Sequence, residues 1–279
     1  MNTIKQSRET QSKNTITNID FIKKTKSVLK DSCNYSDECL STNGFRITDS
    51  GKNKKYILVF GINPAGDEND AQAEVNATYL YSLDETNIKN RTYNKYYKPI
   101  FALLSDATDA TVKWDWCNLS ECDINKMIEK DSALHKFKNQ ILSYYSRYKD
   151  ETYSICIGEF FYYHETNQAK FLEFVKTEDV NYKNYYSSML EMHIKAITEK
   201  GHEIKAILIP NATASRNLYD EIRNKGSEIE KDKYPSYVNY KFENKEYRIF
   251  FSSMLSGQRA IDVFSRDRLC SDLKKYLSE

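Results

Sequence analysis

The chain has 279 residues, room for one large α/β domain or two average ones and enough to bury a core without disulfide staples. Its 41 basic and 40 acidic side chains leave a net charge of +1, which excludes a histone-like coat and confines any nucleic-acid contact to a local patch. Mean hydropathy is -0.72 and no apolar run approaches the ~18 residues of a transmembrane helix, so no membrane span is expected. The opening MNTIKQSRETQSKNT has no apolar stretch behind its charges, so the expectation is a cytoplasmic protein without a secretory signal. The six cysteines (Cys33, Cys39, Cys117, Cys122, Cys156, Cys270) form no Cys-x-x-Cys pair and have no histidine pair near them at zinc spacing. They read as reduced thiols, with no metal and no cofactor expected.

Residues 1–17 are polar and aperiodic and are expected to form a flexible arm, followed by a single domain over 18–279. Residues 1–30 hold seven basic and two acidic side chains, which fits either a solvated tail or contact with a phosphate backbone. From Asn18 to Leu29 the positions Phe21, Ile22, Val28 and Leu29 share a helical face, and Cys33–Thr48 reads as loop. Tyr56–Phe60 is a continuous apolar run ending at Gly61, the pattern of a strand covered on both faces. Trp114–Leu119, Ala206–Pro210 and Tyr247–Phe251 have the same form. Helical periodicity follows in Lys98–Asp106, Met189–Glu199 and Ala214–Ile222. Strands alternating with helices predict a three-layer α/β/α domain around a mostly parallel, four-stranded sheet. Residues 123–185, with a helical stretch at Leu134–Tyr145 and an apolar run at Tyr153–Tyr163, are too long for a crossover and read as an insertion packed on that domain.

In parallel sheets ligands gather at the carboxyl ends of strands. The four ends here are Gly61-Ile62-Asn63-Pro64, Asn118-Leu119-Ser120, Asn211-Ala212-Thr213 and Ser252-Ser253-Met254-Leu255-Ser256. None is a phosphate-binding or dinucleotide-binding glycine loop, and none is a nucleophile elbow. What collects is asparagines, hydroxyls and one leucine; a neutral amide at such a place orients water or reads a pyrimidine edge. The four histidines lie outside these ends, and His193 falls on an apolar helical face as a core residue.

The set resembles the uracil-DNA glycosylase superfamily. Gly61-Ile62-Asn63-Pro64 is similar to the first motif of its mismatch-specific uracil/thymine branch, where the asparagine positions the hydrolytic water. Trp116-Cys117-Asn118-Leu119 resembles the strand whose asparagine reads the flipped base, and Ile207–Ala214 the third strand and its helix. Phe251–Ser256 resembles the second motif, whose leucine wedges into the duplex. The resemblance implies a monofunctional DNA glycosylase, acting as a monomer on a flipped base in duplex or single-stranded DNA. In that reading Asn63 and Asp70 are catalytic, and Gly61, Ile62, Pro64, Tyr97 and Asn118 line the base pocket. Thr213, Ser252, Ser253, Leu255, Ser256 and Arg259 contact DNA. Two family features are absent: the second motif's histidine, replaced by Phe251 or Ser252, and the carboxylate that the strongest uracil enzymes hold where Asn63 stands. The insertion and the altered motif favour a larger base than uracil, such as the hypermodified cytosine of phage DNA that antiviral members of this fold attack. The other readings are a catalytically inactive DNA-binding module of the same fold, and an α/β protein whose asparagines cap turns. For Leu255 the alternatives are wedge and core.

Overall fold

The computed structural model describes residues 16–40, 45, 55–63, 99–100, 103–104, 106–108, 111–114, 151–225, 236–255 and 260–279. These build a six-stranded sheet ordered β2-β3-β1-β4-β6-β5 from β1 (Lys55–Gly61), β2 (Thr111–Trp114), β3 (Glu151–Glu159), β4 (Glu203–Pro210), β5 (Tyr237–Phe242) and β6 (Lys245–Ser252). β2, β3, β1, β4 and β6 run parallel, while β5 pairs antiparallel with β6 through a two-residue turn at Glu243 and Asn244. Five helices are described: α1 (Asn18–Lys26), α2 (Gln168–Glu173), α3 (Tyr185–Thr198), α4 (Ala212–Asn224) and α5 (Val263–Ser278). Residues 99–100, 103–104 and 106–108 are helical too. The expected α/β class with a mostly parallel sheet is present, with more strands than the four expected.

β1 is central, and its side chains alternate between two apolar layers. Tyr56, Leu58 and Phe60 join α1, α3 and α4 on one face; Ile57 and Val59 meet Leu103, Leu104, Leu269 and Leu273 on the other. Burial on both faces explains why β1 reads as an unbroken apolar run. β4 repeats the pattern, with Ile207 and Ile209 in the first layer and Ala206 and Leu208 in the second.

Two sequence expectations differ from the structure. Of the second predicted strand, Trp114–Leu119, only Trp114 is described, closing β2, and 115–119 lie outside the described residues. β3 was expected within an insertion packed on the domain; it lies inside the sheet, between β1 and β2. Its apolar run was visible, and the length of 123–185 hid its place in the sheet. Gly158 breaks no strand: a Cβ there would stand 2.8 Å from the His193 ring and 3.1 Å from that of Phe60, so the packing demands glycine. β5 was not anticipated, although its burial alternates as an edge strand's does.

The helix ends show how these segments are fixed. Asn211 caps α4 by accepting from the Ala214 N–H at 3.0 Å, and Asp262 caps α5 by accepting from Ser265 N–H at 2.9 Å. α3 is closed from outside its own sequence. Its cap residue Asn184 is left-handed, and the Glu221 carboxylate of α4 accepts from the N–H groups of Tyr186 (3.1 Å) and Ser187 (2.7 Å). Burial holds the Glu221 carboxyl above its ordinary range, opposed by those two bonds. Among the described residues no helix is long and apolar enough to cross a membrane.

Candidate functional site

The parallel strands β3, β1, β4 and β6 end on one edge of the sheet, which brings Glu159, Gly61–Asn63, Asn211 and Ser252 to the same side. β1 has β3 on one flank and β4 on the other, so the chain reverses direction across the sheet at β1, the place where open α/β sheets hold ligands. Residues 160–168 cross this point as a strap. Phe160 N–H donates to Gly61 O at 3.1 Å and Phe161 N–H to Ile62 O at 2.9 Å. The Asn63 amide nitrogen donates to the carbonyls of Tyr163 (3.2 Å) and Glu165 (2.9 Å). At the far end the Gln168 side chain donates to Thr213 Oγ1 at 2.9 Å and accepts from the Asn211 amide at 3.2 Å. Asparagines from β1 and β4 thus hold one strap over both strand ends.

Under the strap lies a carboxylate that the sequence reading passed over. Glu159 is register-paired with Gly61. A Cβ built on Gly61 would meet Glu159 Oε2 at 2.1 Å and Oε1 at 2.7 Å, so the carboxylate rests directly against the glycine. Only a residue without a side chain allows that approach. Oε2 is screened from solvent. The Gly61–Asn63 strand end therefore has an acid beside it, supplied by the adjacent strand.

The backbone behind Glu159 is tied into a buried polar chain. Its N–H points at Tyr162 Oη (3.4 Å), and Tyr162 Oη lies 2.6 Å from His193 Nε2. His193 Nδ1 lies 2.7 Å from Met189 O. A carbonyl only accepts, which puts the imidazole proton on Nδ1 and makes Nε2 the acceptor of the tyrosine hydroxyl. His193 is fully buried, as its apolar face suggested, and burial pushes its pKa down to about 3.

This has a consequence for stability. An unfolded histidine titrates near ~6.5 whereas the folded ring stays neutral until about 3, so between those values the unfolded state binds the extra proton. Stability is complete above the unfolded value and falls as pH drops, with a limiting slope from this group of ~1.4 kcal/mol per pH unit. Thermal melts of the wild type from pH 7 to 4 are expected to show this fall, and His193→Gln, less stable at pH 7, should show a shallower one.

The remaining expected site residues fall into four groups. Ile62 is 6% exposed and belongs to the core, so it contributes its carbonyl to the strap and no surface to a base. Ser252 and Ser253 stand at the end of β6; Ser252 O accepts from Ser215 Oγ at 3.0 Å. Leu255 is partly buried against the layer containing Leu208 and Leu269, which is the core alternative. The exposed apolar side chains nearby are Val263 (69%) and Phe264 (76%) at the start of α5. Pro64, Asp70, Tyr97, Asn118, Ser256 and Arg259 lie outside the described residues. Cys33, Cys39, Cys156 and Cys270 form no disulfide among the described residues, where no group of three metal-ligating side chains occurs either.

Comparison with protein-family models, curated proteins and solved structures finds no match to this chain.

Proposed function

We propose that the protein is a monofunctional DNA glycosylase built on a three-layer α/β/α core of the uracil-DNA glycosylase type. The observation that carries the reading is the Glu159 carboxylate resting on Gly61, two residues before Asn63. Hydrolysis of an N-glycosidic bond needs a water held against the anomeric carbon and a base to take its proton as the sugar–base bond breaks. In this reading Asn63 Oδ1 accepts a hydrogen bond from that water while its nitrogen stays anchored to the strap. The Glu159 carboxylate takes the proton, and the base departs with the bonding electron pair and is then protonated. Neither Gly61–Asn63, Asn211–Ser215 nor Ser252–Leu255 contains a lysine, so water is the nucleophile and no Schiff-base strand cleavage is expected.

The preferred substrate class is a modified pyrimidine, a hypermodified cytosine of phage DNA or uracil, with Asn118 reading its edge. Such a protein works in the cytoplasm as a monomer, in the phage case as an antiviral defence. The test is incubation with DNAs carrying uracil, hydroxymethylated or glucosylated cytosine, followed by hot alkali. Base-specific, alkali-dependent strand breaks are expected; breaks without alkali would contradict the monofunctional assignment. A second reading is favoured by the Asn63 nitrogen, which donates to two of the protein's own carbonyls. An inactive module that senses modified DNA would use the asparagine in that way, and would bind these DNAs without producing alkali-labile sites.

A further inference from the structure

A cavity of about 520 Å³ opens at the carboxyl end of β6, between α4 and α5. Its size falls within the range of small-molecule sites. It is distinct from the Glu159–Asn63 edge, since β4 separates β6 from β1, two strand spacings of ~4.8 Å each.

Three features of its wall point to an anion. Arg216 of α4 and Arg268 of α5 both line it. Of the five described arginines, Arg223, Arg248 and Arg266 each stand within ion-pair distance of a carboxylate: Asp220, Glu279, and Asp106 with Asp267. The two facing the cavity have no such partner among the described residues; Arg268 donates only to the neutral Ser265 hydroxyl, at 2.9 Å. Ser252 also lines the cavity, and its Oγ, screened from solvent, makes no hydrogen bond to any described residue. Screened hydroxyls are ordinarily bonded, so an orphan beside two unpaired guanidiniums is a group awaiting a partner. Guanidinium forks match phosphate oxygens, and hydroxyls complete such sites.

The rest of the lining is unlike a plain ion site. Phe251, partly exposed, supplies aromatic surface, and Tyr219, 2% exposed, backs it edge to face at 5.9 Å. Asp272, held by the Ser236 hydroxyl at 2.9 Å, supplies an acceptor. We infer that this cavity binds a mononucleotide. Its phosphate lies on Arg216, Arg268 and Ser252, its nucleoside lies against Phe251, and a sugar hydroxyl or base amine donates to Asp272. The inference does not depend on the glycosylase reading.

The test is calorimetric titration of the full chain, without DNA, using deoxynucleoside 5′-monophosphates and inorganic phosphate. Saturable binding of at least one mononucleotide is expected, with inorganic phosphate weaker. Arg216→Gln and Arg268→Gln should each weaken it at least ~10-fold, and the double variant should abolish it. Neither arginine holds an ion pair among the described residues, so the melting temperature without ligand should stay unchanged, separating lost binding from lost folding. Absence of saturable mononucleotide binding would overturn the inference, as would undiminished binding by the double variant. Affinity for a single-stranded oligonucleotide alone, with none for mononucleotides, would overturn it too and assign the arginines to a backbone groove.

Discussion

Glu159→Gln is expected to reduce base release by ~10²–10⁴-fold with little change in melting temperature, because the amide keeps the side chain's shape but cannot take a proton from water. Single-turnover rates across pH give the sharper readout. The wild type should lose rate on the acid side as the carboxylate is protonated, and the variant should lack that limb. Gly61→Ala approaches the same group from the other side. Its Cβ would stand 2.1 Å from Glu159 Oε2, so the carboxylate must swing away, and as the free end of a flexible side chain it does so at small cost in stability. Activity should therefore fall in a protein that still melts near the wild-type temperature. Gly158→Ala is the control. Its Cβ meets the buried rings of His193 at 2.8 Å and Phe60 at 3.1 Å, which have nowhere to go, and overpacking of this kind costs ~1–3 kcal/mol. If Glu159 merely fills space, Glu159→Gln and Gly61→Ala will leave base release intact.

Asn63→Asp should be among the most damaging changes at the sheet edge. The amide nitrogen that donates to Tyr163 O and Glu165 O becomes a carboxylate oxygen facing two carbonyls, so two donors are lost and a charge is set against two dipoles. Leaving such acceptors unsatisfied costs ~1–3 kcal/mol where they are screened from water. The strap should loosen, the melting temperature should fall, and base release should fall with it. Asn63→Ala removes the donors without adding a charge, so it should be the more stable of the two yet still lack the water-orienting oxygen. Melting curves beside single-turnover rates separate these effects. Equal stability of the two variants would show that the strap contacts carry little energy.

The elements that could be read from sequence are those whose neighbours are uniformly apolar. β1 and β4 are buried on both faces and announce themselves as apolar runs, and α3 and α4 present one apolar face each. β3 was legible as the apolar run Tyr153–Tyr163, but its place in the sheet was not, because the length of 123–185 made it read as an insertion. That misreading hid Glu159, whose place beside Gly61 follows only from parallel register between segments far apart in sequence. The capping of α3 by Glu221 is hidden in the same way. Asn63 and Asn211 were legible as strand-end amides. Their shared hold on residues 160–168 was not, since it depends on a strap arriving from beyond β3. A carboxylate register-paired with the glycine of a strand-end Gly-Ile-Asn motif is the signal that a topology with β3 beside β1 would have exposed.

The most direct measurement is mass-spectrometric identification of free bases released from defined modified DNAs, quantified against abasic sites in the same strands. The glycosylase account predicts one released base per abasic site with wild-type protein, at a rate at least ~10²-fold above that of Glu159→Gln. Tight binding of these DNAs by wild-type protein with no free base and no abasic site would contradict it.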